Sequence, residues 1–181
     1  LKEIFLLIFP ELKYLERLNN LIEFSNELLL DNTTLLAILL IDEKDNHEYF
    51  FHKYNVSNNL KNDLILISKN FKNLKMNKSF FKQDLKKNIF YFGKNHLTTL
   101  NKIYFSENKK IKISNYLEIL KEIKKSIVPE FHINGTYLKN RGIKEGTYIG
   151  KILKILEDEW IKNDFKLSDQ KVEEIILNYK N

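Results

Sequence analysis

Cysteine is absent from the 181 residues. That excludes disulfide staples, thiol nucleophiles and thiolate metal sites, and it suits a reducing compartment. Glycine and proline are scarce, at five and two residues; a β protein of this size needs more turn-formers to join its strands. Long hydrophobic runs are missing too. The longest, Leu35 to Ile41, falls well short of the ~20 apolar residues needed to cross a bilayer. No charged-then-apolar signal segment precedes a small-residue cleavage site. A soluble, cytoplasmic protein with no membrane partner is therefore expected. The first residue is Leu1 rather than Met, so the numbering is expected to begin inside a longer protein. Arginine is nearly absent: Arg17 and Arg141 are the only two, and the remaining basic residues are lysines.

What is present is globular. The chain is 43% hydrophobic and 30% charged, and at this length one domain or two small ones can enclose a real core. The net charge is +6, from 30 Lys+Arg against 24 Asp+Glu. A chain rich in lysine, asparagine and isoleucine is also what an AT-rich genome produces. Charge alone thus leaves nucleic-acid binding as one option among several.

The apolar spacing is helical throughout. Ile4, Phe5, Leu7 and Ile8 begin a segment that ends at Pro10, and Leu12, Leu15, Leu18, Ile22 and Leu29 continue as an amphipathic stripe. Asp31 or Asn32 can cap the next helix, whose run Leu35 to Ile41 reads as buried on most sides. Ser57 caps a helix through Leu60, Leu64, Ile67 and Phe71, and the lysine-rich stretch Asn70 to Lys78 reads as a loop. Helices follow over Phe80 to Phe92, His96 to Ser106 and Ser114 to Ile127, the last stopped by Pro129. A long helix over about Tyr148 to Lys162 and a final one from Asp169, N-capped by Ser168, complete the chain. The expectation is an all-α fold without sheet: a helical body over 1–128 and a tail over 129–181.

The tail holds the most specific stretch. Gly142, Gly146 and Gly150 recur every four residues. Gly142 can end a short helix in a left-handed conformation. Gly146 opens the next helix with its backbone N–H groups outward, and Gly150 is expected to let another backbone pack closely. Lys139, Arg141, Lys144 and Lys151 surround the turn. A helix N-terminus among cations suits a phosphate, but glycine-turn hairpins with solvated lysines are common, and spacing alone favours that ordinary reading.

The segment containing Pro129, Phe131, Gly135, Leu138, Gly142, Ile143, Gly146, Gly150, Leu156, Glu157, Trp160 and Ile161 resembles the C-terminal signature of bacterial CCA-adding tRNA nucleotidyltransferases and the related poly(A) polymerases. Two departures are Tyr137, in a stretch where relatives often carry aspartate, and Thr147, where they often carry proline. Upstream the likeness is more diffuse, through Phe9-Pro10-Glu11, Asp31 to Leu40, and Tyr54 to Asn58. The resemblance implies an RNA-gripping body and tail, starting just after the family's neck. RNA-binding residues would be Lys139, Arg141, Gly142, Lys144, Gly146 and Lys151.

The family's catalytic head carries a Gly-Ser segment, an Asp-x-Asp pair holding two metals, and a nucleotide-selecting arginine motif. None of these is found in the sequence. Asp42 and Asp45 are too far apart for the pair, Glu157 to Glu159 read as a solvated helix face, and Arg17 reads as a surface residue. The implied parent enzyme uses CTP, ATP and Mg²⁺, with in-line attack of the RNA 3′-hydroxyl on an α-phosphate between two metals. This chain would then hold no catalytic residue and no cofactor, would be inactive alone, and would position the tRNA 3′ end for a head, fused or separate. A poly(A) polymerase C-terminal region is the alternative within the family. A non-enzymatic helical interaction domain is the alternative outside it. His47, His52, His96 and His132 show no ligand spacing, so no metal site is expected. Tyr49-Phe50-Phe51 and Trp160 are expected in the core rather than stacked on bases.

Overall fold

The computed structural model describes residues 2–22, 30–107, 111–128, 130–144 and 146–179. Among them the regular structure is entirely helical. The elements are α1 (Lys2–Ile8), α2 (Leu15–Ile22), α3 (Asn32–Leu40), α4 (Asn46–Lys53), α5 (Asn58–Met76), α6 (Leu85–Glu107), α7 (Ile113–Lys125), α8 (Gly135–Asn140), α9 (Thr147–Lys162) and α10 (Asp169–Leu177). The chain is all-α, as its periodicity predicts, and no described helix is long and apolar enough to cross a membrane. It divides into two compact units, Leu1–Ser126 and Ile127–Asn181. The predicted stripe residue Leu29 and the helix stop Pro129 lie outside the described residues.

The first unit is built around α3. This helix is apolar on nearly every side, and Ala37, Ile38, Leu39 and Leu40 are all buried. Burying one such side chain contributes about 1.5–3 kcal/mol, and α2, α4, α5 and α6 pack around it. Asp31 caps its start, accepting from the Thr34 backbone N–H at 2.8 Å. Its far end presents carbonyls that no helical N–H can reach, in the interior of the unit. Side chains from the flanking helices supply the donors. Asn46 Nδ2 donates to Leu40 O at 2.9 Å. The Arg17 guanidinium donates to Ile38 O at 3.3 Å and to Ile41 O.

Arg17 is therefore not the surface residue that the sequence suggests; it is 5% exposed. Its guanidinium lies 4.1 Å from the centre of the Tyr14 ring and donates to Glu107 Oε1 at 2.7 Å. Glu107 Oε2 sits 2.6 Å from Lys75 Nζ, and Lys75 also pairs with Glu43. One connected set of charges thus ties α2, the end of α3, α5 and the end of α6. Asp42 closes the same region, taking the Tyr14 hydroxyl at 3.1 Å and the Lys44 backbone N–H at 2.9 Å.

The stretch 70–76, expected as a loop, is instead the last two turns of α5. Its lysines conceal an unbroken apolar stripe: Leu64, Ile67, Phe71 and Leu74 are all buried, at the three- and four-residue spacing of one helix face. Lys69 and Lys72 are on the exposed side. The residues after it, 77–84, form turns rather than the start of a helix. Phe80 is fully buried there, and its carbonyl accepts from Asn88 Nδ2 at 2.8 Å. The break expected between Phe92 and His96 is a kink at Gly93, whose φ of 79° and ψ of 161° interrupt α6. Phe50 is core as expected, whereas Tyr49 is 65% exposed.

His96 Nε2 lies 3.0 Å from Asn70 Nδ2. The amide can only donate, so this nitrogen accepts and the ring is neutral. Burial holds its pKa down to about 4, from an ordinary 6.5. The unfolded chain therefore binds a proton more readily than the folded one between those values. The stability contributed is complete above pH 6.5 and is lost as pH falls toward 4.

Two expected outcomes follow from these contacts. Arg17→Met keeps the length of the side chain but strands two carbonyls and leaves Glu107 with Lys75 alone. Urea unfolding monitored by circular dichroism should show a loss of about 3 kcal/mol; a loss within about 0.5 kcal/mol contradicts the network. His96→Gln should flatten the fall in stability between pH 6.5 and 4. The wild-type contribution is about 2 kcal/mol after discounting for partial exposure, and an unchanged pH profile contradicts the assignment.

Candidate nucleic-acid interface

The second unit is a three-helix cluster whose core is Leu138, Ile143, Ile152, Leu156, Val172, Ile175 and Ile176. Asn134 starts α8 by accepting from the Tyr137 N–H at 3.0 Å. The helix ends after one and a half turns in a paired-bond cap. Gly142 N donates to Lys139 O at 2.9 Å and Ile143 N to Leu138 O at 3.2 Å. Gly142 has φ of 86°, in the left-handed region that glycine enters without the Cβ penalty. Ile143, immediately beyond, buries itself with Leu138, which completes the motif with its usual apolar contact. The sequence reading of Gly142 is correct in mechanism.

Gly146 is the N-cap of α9, with φ of 141° and ψ of −168°. Backbone angle, not space, requires glycine there, since an added Cβ would meet nothing within 4 Å. Its carbonyl accepts from the Ile149 N–H at 3.2 Å. With no side-chain oxygen to cap the helix, the first-turn N–H groups ahead of Ile149 are left to solvent or a ligand. Gly150 departs from expectation. A Cβ there would also meet nothing within 4 Å, and the residue is exposed, so no packing inside this unit calls for a glycine. Gly135 is the glycine that faces α9, and a Cβ there would make only an ordinary contact, 3.6 Å from Ile149 Cγ2.

The six residues expected at the interface separate into three kinds. Gly142 and Gly146 shape the turn. Lys139, Lys144 and Lys151 are exposed around it, and Lys151 Nζ stands 5.6 Å from the centre of the Tyr148 ring. Arg141 is already engaged: its Nε donates to Glu173 Oε1 at 2.8 Å, and its guanidinium lies 3.7 Å over the Tyr137 ring. Glu173 offsets part of its charge. Two residues at the site were missed in the sequence. Tyr137 precedes Arg141 by four positions, a helical neighbour spacing that could have revealed the stacking. Tyr148 is 59% exposed on the first turn of α9; it shares a face with the buried Ile152 one turn on, so the sequence pattern alone gives no signal of its exposure.

Trp160 is core, as predicted. Its ring centre is 5.3 Å from Phe131 and 4.9 Å from Phe165. Helix α9 ends with Phe165 N donating back to Trp160 O at 2.8 Å. Here Asp164 and Phe165 take the left-handed angles, at φ of 53° and 61°. The burial of Phe165 against Trp160 holds this costly geometry in place. Ser168 caps α10 as expected, accepting from Lys171 N at 3.3 Å.

The Mg²⁺ implied by the family resemblance finds no fit. Among the described residues no group of three or more His, Asp or Glu side chains is placed to hold a metal ion. The two oxygens of Asp42 are taken up by Tyr14, Lys44 and Asn46.

These features define an all-helical protein of two units, the second a glycine-turn hairpin with exposed lysines about a helix start. Residues 31–176 match the family model described as tRNA nucleotidyltransferase domain 2. The match spans well over half of the sequence, and the chain belongs to that family. It covers both units, a wider span than the sharp motif between Pro129 and Trp160. No curated protein and no solved structure matches the chain.

Proposed function

We propose that this chain grips tRNA and positions its 3′ end for CTP- and ATP-dependent CCA addition by a catalytic head outside these residues. The observation that carries this reading is the turn between α8 and α9. Its paired-bond cap at Gly142 and the glycine start of α9 expose a helix N-terminus among Lys139, Lys144 and Lys151, in a chain of the tRNA nucleotidyltransferase family. Backbone N–H groups and ammonium groups bind phosphate oxygens without reading bases. Such contacts recognise the shape and backbone of an RNA duplex arm. The chain's own part is therefore binding and orientation: it holds the RNA so that the 3′-hydroxyl meets the head. The reacting groups, with the Mg²⁺ they require, belong to that head. A poly(A) polymerase would use the same grip on a different RNA.

The salt dependence of tRNA binding tests this. Lys144→Ala and Lys151→Ala should each weaken binding and lower the slope of log affinity against log salt by about 0.7–0.9, the value for one phosphate contact. Gly146→Val should weaken binding by distorting the turn while leaving the slope nearly unchanged. Lys162→Ala and Lys166→Ala, at the other end of α9, should change neither. Equal losses at both ends would mean that the positive charge acts diffusely, and the turn would then be an ordinary hairpin.

A further inference from the structure

A second feature lies in the first unit, independent of the turn. Lys44, Asp45, His47, Glu48, Ile65, Ser68, Lys69 and Lys72 line an open groove of about 530 Å³ between the first turn of α4 and the middle of α5. Three lysines converge on it from two elements. None of them forms an ion pair among the described residues, and Asp45 and Glu48 on the same walls form none with them. Lys75, one position beyond this stretch, pairs with two carboxylates. Three cations against two carboxylates leave the lining at +1.

The floor of the groove supplies the stronger clue. His47 is 4% exposed, and its Nδ1 is a buried polar atom with no hydrogen-bond partner among the described residues. An orphaned buried polar group costs about 1–3 kcal/mol, so its retention calls for a compensating role. Phe51 meets the imidazole edge-on at 5.7 Å and offers no acceptor. Burial pushes the His47 pKa below its ordinary value, with nearby Glu48, Asp42 and Asp45 opposing the shift and Lys72 reinforcing it. The ring is thus neutral at neutral pH and carries one N–H, and the side chain lines the groove. The start of α4 is already met by carboxylates, Asp42 accepting from the Asn46 N–H at 3.4 Å and Glu48 standing in the first turn, so the lysines and His47 are the groove's anion-binding groups.

We propose that this groove is a phosphate-binding site, in which Lys44, Lys69 and Lys72 surround the anion and His47 donates to one of its oxygens. A compact tetrahedral anion matches the donor set: three ammonium groups, one imidazole N–H and the neighbouring Ser68. The phosphate group can belong to an RNA backbone or to a small molecule. No bond is made or broken.

The full-length chain, labelled with ¹⁵N, can be titrated with inorganic phosphate at neutral pH and constant ionic strength, with chloride as the exchanging anion. Imidazole nitrogen spectra should show saturable shifts at His47 and none at His52 or His132. Lys69→Ala combined with Lys72→Ala should weaken that binding roughly tenfold, about 1.4 kcal/mol, with the His96 signals unchanged as a control for folding. His47→Phe preserves the ring contact with Phe51 and should weaken phosphate binding measured by calorimetry. A parallel titration with an RNA hairpin distinguishes the sources: shifts at His47 with both ligands assign a backbone phosphate, and shifts with inorganic phosphate alone assign a small-molecule one. A His47 signal that moves no more in phosphate than in chloride, or a doubly substituted chain that binds phosphate as well as wild type, overturns the proposal.

Discussion

The first unit depends on one buried guanidinium. Helix α3 ends inside the protein, where its last carbonyls have no water to turn to, and a helix end without donors is a steep cost. Arg17 meets that need from α2, with Asn46 assisting from α4. A lysine could not serve the same way, because the flat fork of arginine reaches two carbonyls and a carboxylate at once while stacking on Tyr14. Glu107 and Lys75 extend the arrangement to α6 and α5. With one arginine in the whole unit, its placement where the end of α3 meets α2 and α6 is economical in residues and unforgiving of change.

The second unit solves the same problem of helix ends with backbone rather than side chains. Both α8 and α9 finish in backbone caps with left-handed residues, the first a paired-bond cap through Gly142 and the second a bond from Phe165 N to Trp160 O through Asp164 and Phe165. Each cap is locked by an apolar contact across it, Ile143 with Leu138 in one case and Phe165 with Trp160 in the other. The consequence for function is geometric. The α8 cap folds Ile143 inward, while Lys139, Lys144 and Lys151 and the start of α9 stay exposed. Arg141 is held back from this surface by Glu173 and Tyr137, so its contribution is to stiffen the bend as well as to add charge.

Much of this was legible in the sequence. The caps at Asp31, Ser57 and Ser168, the buried run of α3 and the glycine turn are local chemistry, decided by residues a few positions apart. The errors came from contacts that are distant in the chain. Arg17 is 90 residues from Glu107, and nothing beside it in sequence marks it as buried. The lysines of 70–78 mask the end of a helix, whose signal is the spacing of Phe71 and Leu74 behind Leu64 and Ile67. Gly150 follows a family pattern of glycines, yet its surroundings in this unit are open. The groove beside His47 had no sequence signal, since Lys44, His47, Lys69 and Lys72 come together only when α4 packs on α5.

The claim at the centre of this account is that the bend between α8 and α9 is the face that meets tRNA. Amide hydrogen exchange of the chain with and without saturating tRNA measures this directly. The account predicts slowed exchange over residues 139–151, strongest at the first-turn amides of α9, with no comparable change in α10. Binding of tRNA that leaves 139–151 exchanging at the free rate would contradict it.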